Sequence, residues 1–282
     1  MDISHSWVIL AKLFKFKDNM KIGIFGLGFV GNAVYKAHEV FDEIIIVDPL
    51  KGLVANTNDI LECEAIFVCV PSPMRQDGSC DTSILLEVLQ ELKRINYRHG
   101  PIISKVTAPP AIYREYQKQF DNLVFAPEFL VANRAEQDYL EGKFSIIGGN
   151  SLVYAEKAEK VIRRGQPYLK TVKYCTIEEA AIAKYTINSF LALKVSYLNQ
   201  IYDLCNAEQI DYTKVQKLLK LDGLRLGETH FDVPGPDTKR GFGGACFPKD
   251  TAAILFESEV FSAKLSIIDE AIKYNKTLRN DL

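Results

Sequence analysis

The chain of 282 residues has 34 basic and 36 acidic side chains, a net charge of −2, and a hydrophobic fraction of 48%. This length predicts one or two domains with a core that needs no disulfide or metal to hold it. The near-neutral charge argues against binding to nucleic acid, and no apolar run approaches the roughly 20 residues that cross a bilayer. We therefore expect a globular protein with neither nucleic acid nor a membrane as partner.

Six cysteines are scattered along the chain without a C-x-x-C pair, and only four histidines are present. These spacings do not match a zinc site, so we predict that no metal is bound. Scattered cysteines in a chain of this size indicate reduced thiols, which favours a cytoplasmic location.

Residues 1–19 lack the order of a secretory signal, because three lysines follow the apolar stretch instead of preceding it. Met20 stands directly before a strand-like run. We interpret residues 1–19 as an extension upstream of a natural start at Met20, or alternatively as a short arm packed on the body.

A glycine-rich turn follows the first predicted strand, Ile22–Phe25. A predicted helix over Ala33–Glu39, a second strand over Glu43–Val47 and then Asp48 come after it. The turn reads Gly26-Leu27-Gly28-Phe29-Val30-Gly31.

This G-x-G-x-x-G pattern, between a strand and a helix, is typical of a dinucleotide site. Gly26 permits the tight turn, Gly28 lets the backbone approach a pyrophosphate, and Gly31 lets the helix pack on the strand. The helix N-terminus attracts the phosphates. Asp48 is placed to accept a hydrogen bond from a ribose hydroxyl, which favours NAD over NADP, although Lys51 nearby could soften that preference. A purely structural glycine turn is the alternative.

The alternation of strands and helices continues to about residue 175. Further strands are predicted over Ala65–Val70, Pro101–Val106, Leu123–Ala126, Phe144–Ile147 and Thr171–Tyr174, with helices over Thr82–Leu92, Ile112–Gln119 and Leu152–Arg164. This rhythm predicts an α/β fold, a Rossmann-like, doubly wound and mostly parallel sheet over residues 20–175. Ser72, Thr107 and Glu128 fall beyond the carboxyl ends of strands, where such sheets bind ligands.

An all-α domain is predicted over residues 176–282. Thr176 and Glu179 form a capping box before a long helix, Ile177–Asn206, which we expect to pack directly on the sheet domain. The later elements are a helix over Thr213–Leu219, a loop over Asp222–Arg240, a helix with Pro248 as its first residue, and a helix over Ser262–Leu278.

Two clusters of polar residues in this region are candidates for chemistry. Lys184 and Asn188 share a face of the long helix among apolar neighbours, although a lysine there could simply reach the surface. Cys246 lies just before a helix, a position that lowers a thiol pKa, and Asp250 in the first helical turn is placed to act as a base. A buried, inert cysteine and a helix-start acid are the alternatives. The surrounding sequence is Gly241-Phe242-Gly243-Gly244-Ala245-Cys246-Phe247-Pro248-Lys249-Asp250.

From about Lys21 to the C-terminus, the sequence resembles the UDP-glucose/GDP-mannose dehydrogenases, which oxidise a sugar-nucleotide alcohol to the acid with two NAD. The resemblance rests on six ordered motifs, and two loop sequences, Leu224–Gly227 and Val233–Asp237, favour the UDP-glucose enzymes. The motifs are the glycine turn, Val70–Pro73 with Asp77–Asp81, Thr107 before Pro109, Ala126–Leu130, Lys184 with Asn188, and Gly241–Asp250.

The resemblance implies a role for each matching residue. Lys184 and Asn188 stabilise an oxyanion, Asp250 accepts a proton through water, and Cys246 forms a thiohemiacetal and then a thioester. Thr107, Glu128 and Asp250 orient the water that hydrolyses it. The implied cofactor contacts are Gly26, Gly28, Phe29, Val30, Gly31, Asp48, Ser72, Thr107 and Lys249, and the implied substrate contacts are Phe129, Leu130, Lys184, Asn188, Arg225, Phe242, Gly243 and Gly244.

The sequence also departs from the family pattern. Ala132 replaces a second glutamate, Val106 replaces a serine before Thr107, and Ser72 replaces a threonine. Family members usually continue into a third domain that grips the nucleotide, and we expect that domain to be missing here. The resemblance implies a homodimer formed through the helical domain.

Two other functions compete with a nucleotide-sugar dehydrogenase. One is an NAD-binding remnant without catalysis, favoured by Ala132 and the missing domain. The other is an enzyme like the 3-hydroxyacid dehydrogenases, which use a similar Lys/Asn pair but lack the trapping cysteine.

Overall fold

The computed structural model describes residues 19–279 of the chain. The predictions for residues 1–18 therefore lie outside the described residues. The contacts divide the chain into two compact units: the first ends at Pro73 and resumes over Asp81–Ile182, and the second combines Met74–Cys80 with the chain from Ala183 onward. This division falls seven residues after residue 175, where the sequence predicted the domain boundary.

A seven-stranded sheet organises the first unit. Its order is β2-β1-β3-β4-β5-β6-β7, and all neighbouring pairs are parallel except β5 with β6. This confirms the predicted mostly parallel sheet. The strands are β1 (Lys21–Phe25), β2 (Glu43–Val47), β3 (Ala65–Val68), β4 (Ile102–Ser104), β5 (Leu123–Phe125), β6 (Phe144–Gly148) and β7 (Thr171–Cys175).

Helices cover both faces of this sheet. The helices of the first unit are α1 (Phe29–His38), α2 (Thr57–Leu61), α3 (Ser83–Arg94), α4 (Pro110–Gln117), α5 (Ala135–Leu140), α6 (Leu152–Gly165) and the start of α7 (Ile177–Ala207).

Side chains that alternate along the strands fill two separate cores. Ile22 and Ile24 of β1 belong to the core that includes residues of α1, α5 and α6, whereas Phe25 belongs to the core that includes residues of α3, α4 and the first turn of α7. The central strands β1, β3, β4 and β5 are mostly apolar on both faces because both faces are buried, as is usual for parallel sheets.

The capping box at the start of α7 is confirmed. The Thr176 backbone N–H donates to Glu179 Oε2 at 2.8 Å, and the Glu179 N–H donates to Thr176 Oγ1 at 3.2 Å. The first turn of α7 packs into the sheet core. The approach is close, because a Cβ atom on Gly148 of β6 would lie only 2.6 Å from Ala180 Cβ. The predicted packing of this helix on the sheet is therefore confirmed for Ile177–Ala181.

The second unit is helical. It contains α7 from Ala183 onward and the segment Met74–Cys80, whose ends pair with each other. Cys80 packs with Tyr185 and Ala253 in a small core. The other helices are α8 (Tyr212–Leu219), α9 (Gly223–Leu226), α10 (Phe247–Val260) and α11 (Ser266–Leu278).

Several predicted boundaries were wrong by up to four residues. Helix α1 begins at Phe29, so Gly31 lies inside the helix, and α11 begins at Ser266 instead of Ser262. Pro248 is the second residue of α10, because Phe247 already has helical hydrogen bonding. The predicted loop over Asp222–Arg240 contains the short helix α9.

A buried charge network ties α1 to α6. His38 Nδ1 lies 2.7 Å from Asp42 Oδ2, and Arg164 also binds the Asp42 carboxylate, with its Nε 3.1 Å from Oδ1. Burial lowers the pKa of His38, more than the neighbouring Asp42 carboxylate raises it. The unfolded chain takes up this proton near pH 6.5 and the folded chain does not, so stability is lost as the pH falls below that value.

We expect Arg164→Met to lower the free energy of unfolding by about 3 kcal/mol, because breaking a buried pair leaves the Asp42 charge undercompensated. Arg94→Met is the matched control, since the Arg94 pair with Glu91 is exposed and contributes little to stability. Urea denaturation at pH 7 measures both. Equal effects of the two substitutions would contradict a structural role for the buried network.

Candidate active site

The glycine turn between β1 and α1 has a geometry that requires glycine. Gly26 has a φ of +88°, and a Cβ atom on it would lie 2.9 Å from the Cys69 carbonyl oxygen. A Cβ atom on Gly31 would lie 2.0 Å from the Gly26 carbonyl oxygen. Gly28 differs, because a Cβ atom on it would meet nothing within 4 Å. The backbone of the turn therefore requires glycine at positions 26 and 31, whereas Gly28 leaves the outer face of the turn open.

Gly28 is the N-cap of α1, and no side chain caps this end of the helix. Phe29 and Val30 form the first helical turn. The unpaired N–H groups of such an end attract an anion, and the open space at Gly28 fits the approach of a pyrophosphate.

Asp48 follows β2 and reaches the same turn. Its Oδ2 accepts a hydrogen bond from the Leu27 N–H at 2.8 Å, and Lys51 Nζ donates to the Leu27 carbonyl at 2.5 Å. The acid and the glycine turn are therefore neighbours, as the spacing predicted. These residues fit the pyrophosphate and ribose of a dinucleotide.

Three further predicted residues follow β3, β4 and β5 and are buried. Ser72 Oγ donates to the Thr107 carbonyl at 3.0 Å. Glu128 Oε2 accepts from the Leu130 N–H at 2.7 Å, which folds the chain around Phe129, whose ring centroid lies 5.1 Å from that of Phe144.

A cavity of about 120 Å³ opens behind Glu128 within the first unit. Lys105 lines it, although this side chain follows β4 and is only 5% exposed. Burial lowers the pKa of Lys105 to about 8, and the Glu128 carboxylate opposes that shift. Tyr139 and Gln166 also line the cavity. Sequence reasoning did not select Lys105, although a lysine inside the predicted strand Pro101–Val106 was a usable signal.

In the second unit, four candidate residues lie on two helices. Lys184 and Asn188 of α7 are 3% and 5% exposed, so Lys184 does not reach the surface. Asn188 Nδ2 donates to Asp250 Oδ2 at 2.6 Å. The Asp250 N–H donates to the Cys246 carbonyl at 2.9 Å, which places Cys246 as the N-cap of α10.

Asp250 is also paired with Lys249. Burial disfavours the charge on Lys249, but the Asp250 carboxylate outweighs this effect, so the pKa of Lys249 is raised. Asp250 is 1% exposed, and two donors, the Asn188 amide and the Lys249 ammonium, converge on its carboxylate.

The glycine-rich segment before Cys246 is held by the end of α11. Asn275 binds both backbone groups of Phe242, at 2.8 Å each. A Cβ atom on Gly243 would lie 2.5 Å from the Arg279 guanidinium carbon, and Arg279 is paired with Asp237. Sequence reasoning missed Asn275 and Arg279, because nothing in the local pattern of α11 links it to this loop.

The other predicted substrate contacts differ in exposure. Phe242 is buried, whereas Arg225 is exposed and paired with Asp222 at 2.6 Å. Gly244 has a φ of +77°, and a Cβ atom on it would meet nothing within 4 Å. A second open backbone position therefore lies two residues before Cys246.

Among residues 19–279, every helix is too short or too polar to span a bilayer. No group of three or more His, Cys, Asp or Glu residues in the same range could hold a metal ion.

We expect Gly28→Ala to weaken NAD+ binding at least about tenfold with little change in thermal stability, because its methyl group meets only the open face of the turn. Gly31→Ala is expected to lower both the affinity and the melting temperature, since its methyl group clashes with Gly26. Calorimetric titration and thermal unfolding distinguish the two. Unchanged affinity in Gly28→Ala would contradict a pyrophosphate site here.

Comparison with known proteins matches both units of the chain to one family. Residues 49–165 match the NAD binding domain of the UDP-glucose/GDP-mannose dehydrogenase family, and residues 178–277 match its central domain. The first match identifies NAD as the cofactor of this domain.

Two relatives of this chain are named UDP-glucose 6-dehydrogenase. A UDP-glucose 6-dehydrogenase of Rickettsia conorii is 28% identical over 92% of this chain, and the UDP-glucose 6-dehydrogenase TuaD of Bacillus subtilis is 29% identical over 79% of it. The chain spans 60% and 49% of the lengths of these two relatives.

Solved structures show the same fold. A UDP-glucose dehydrogenase from Pyrobaculum islandicum aligns with a TM-score of 0.77 and 22% identity, over 93% of this chain and 69% of that one. With both family domains matched in order, the chain belongs to the UDP-glucose/GDP-mannose dehydrogenase family.

Proposed function

We propose that this protein is an NAD-dependent nucleotide-sugar dehydrogenase that oxidises the primary alcohol of UDP-glucose, or of a related UDP-sugar, to the carboxylate. One observation carries the proposal. The side chains of Asn188 and Lys249 both contact the carboxylate of the buried Asp250, and the Asp250 N–H donates a hydrogen bond to the Cys246 carbonyl. A base, an amide donor and a thiol are therefore grouped within one unit.

The first half of the reaction makes an aldehyde. NAD, when bound, accepts a hydride from the substrate in each half-reaction. Asp250 accepts the alcohol proton through a water molecule, and Lys184 and Asn188 donate hydrogen bonds to the developing oxyanion. The Asn188 amide has a second N–H beside the one given to Asp250, so it can serve both groups.

The second half makes the acid. The Cys246 sulfur adds to the aldehyde carbon and forms a thiohemiacetal, which retains the reactive aldehyde on the protein. Loss of the second hydride leaves a thioester. Thr107, Glu128 and Asp250 orient a water molecule that attacks the thioester carbon, and the C–S bond breaks with release of the acid and the thiol. One alcohol and one water thus yield one carboxylate, two hydrides and three protons.

Contacts that hold the substrates complete the proposal. The cofactor is bound by Gly26, Gly28, Phe29, Val30, Gly31, Asp48, Ser72, Thr107 and Lys249. The sugar nucleotide is bound by Phe129, Leu130, Lys184, Asn188, Arg225, Phe242, Gly243 and Gly244. A cytoplasmic location is also part of this proposal, because the six cysteines are unpaired, as is usual in a reducing compartment.

With UDP-glucose we expect two NADH per sugar, and we expect Cys246→Ala and Cys246→Ser to lose at least about 10³-fold in rate. Cys175→Ala is the matched control, because Cys175 lies in β7 and burial raises its thiol pKa. NADH absorbance and product analysis by mass spectrometry provide the measurement.

The competing functions give different results in the same assay. NAD+ binding without turnover of any sugar nucleotide would identify a non-catalytic remnant. Oxidation of simple 3-hydroxyacids, with one NADH per substrate and no dependence on Cys246, would identify an enzyme like the 3-hydroxyacid dehydrogenases.

We also propose a homodimer formed through α7. Phe190, Tyr197 and Leu204 recur every seven residues on this helix and are 57–62% exposed, so they form an apolar stripe on one face. A second copy of the helix would cover this stripe.

Light scattering is expected to give twice the monomer mass for the wild-type protein and the monomer mass for Tyr197→Glu, because the new charge would be buried in the interface. Asn206→Glu, at an exposed position on the opposite face of the same helix, is the control. A monomeric wild-type protein would exclude the homodimer.

A further inference from the structure

The cavity behind Glu128 contains a buried lysine that the proposed reaction does not use. Lys105 is 5% exposed, and within residues 19–279 its side chain forms no hydrogen bond and no ion pair. Its ammonium lies 5.7 Å from the centroid of the Tyr139 ring. Burying a charge without a direct partner is costly, so this lysine is not explained by stability.

Two further polar atoms in the cavity wall point to what fills it. Tyr139 Oη and Gln166 Oε1 are buried and have no hydrogen-bond partner in the described part of the chain. The ammonium and the hydroxyl donate, whereas the amide oxygen accepts. Water in the cavity can hydrogen-bond the ammonium, and a volume of about 120 Å³ holds roughly four water molecules. An anion is disfavoured, because the Glu128 carboxylate lines the same cavity.

We propose that Lys105 is a positioning residue for Glu128, connected to it by water molecules in this cavity. The positive charge of Lys105 attracts the Glu128 carboxylate and fixes its orientation. This inference rests on the proposed function, in which Glu128 orients the water that hydrolyses the thioester.

The charge of Lys105 sets a pH limit for this arrangement. The pKa of Lys105 is lowered to about 8 by burial, so its charge is present below that pH and is lost as the pH rises through it. Cys69 and His38 also interact with Lys105, but burial raises the pKa of Cys69 to about 12 and lowers the pKa of His38, so both are neutral near pH 8. The other charged side chains that line the cavity are Glu128, Asp138 and Lys143.

The coupling can be measured without any enzymatic activity. In protein labelled with ¹³C-lysine, with Lys105→Arg used for assignment, we expect the Lys105 signal to titrate near pH 8. In Glu128→Gln the midpoint should fall by about one pH unit, because the carboxylate favours the charged amine. An unchanged midpoint would overturn the proposal.

Kinetics test the consequence for the reaction. Lys105→Met is expected to lower kcat about tenfold, because Lys105 acts through Glu128 and the variant loses only part of the rate that Glu128 contributes. The KM values for NAD+ and for the sugar nucleotide should stay within about twofold of the wild-type values. Lys105→Arg should retain the wild-type kcat. The pH above which kcat falls should be higher in this variant, because arginine stays charged. Lys143→Met, on the exposed rim, is the matched control.

The two experiments fail in distinguishable ways. A wild-type kcat and pH profile in Lys105→Met would overturn the positioning role. If the wild-type protein oxidises no sugar nucleotide, the proposed function fails, and the lysine titration still decides whether Lys105 and Glu128 are coupled.

Discussion

The parallel pairing of the first five strands in space determines where the candidate residues of the first unit lie. Because β2, β1, β3, β4 and β5 all run in one direction, their carboxyl ends lie at one edge of the sheet. The glycine turn follows β1, and Asp48, Ser72, Thr107 and Glu128 follow the other four strands in the order of β2 to β5. The direction reverses only at β6, after the last of these residues. Short apolar strands buried on both faces impose this arrangement.

In the second unit, the carboxylate of Asp250 has a comparable organising effect. It is almost fully buried, so it must be compensated, and the Asn188 amide and the Lys249 ammonium provide that compensation. These contacts fix a side chain of α7 against the first turn of α10. The proposed base, oxyanion donor and nucleophile are consequently positioned by the same interactions that satisfy a buried charge.

The sequence was sufficient to predict the sheet, its mostly parallel direction, the capping box and the proximity of Asp48 to the glycine turn. These features depend on local patterns, namely apolar runs, glycine spacing and a T-x-x-E sequence. Lys105, Asn275 and Arg279 were missed because their significance arises from contacts distant in sequence, such as the 33 residues that separate Asn275 from Phe242. The start of α11 was wrong because helical propensity in Ser262–Leu265 was overridden, with Ser262 adopting a φ of +56°.

Buried ionisable groups recur in the parts of the chain that we assign to chemistry. Lys105, Glu128, Lys184 and Asp250 are each less than 10% exposed. Each such group costs free energy on burial, which is characteristic of functional sites, where stability is sacrificed for a defined electrostatic environment.

The segment Met74–Cys80 belongs to the second unit although it lies more than a hundred residues before the rest of that unit. The chain therefore passes between the units three times, and Cys80 supplies one of the three buried members of a small core with Tyr185 and Ala253. During synthesis this hairpin emerges long before its packing partners. A fragment that begins at Ala183 would lack Cys80 and so one member of this core. Exchange of the complete helical unit between homologues therefore requires two segments of chain to be transferred together.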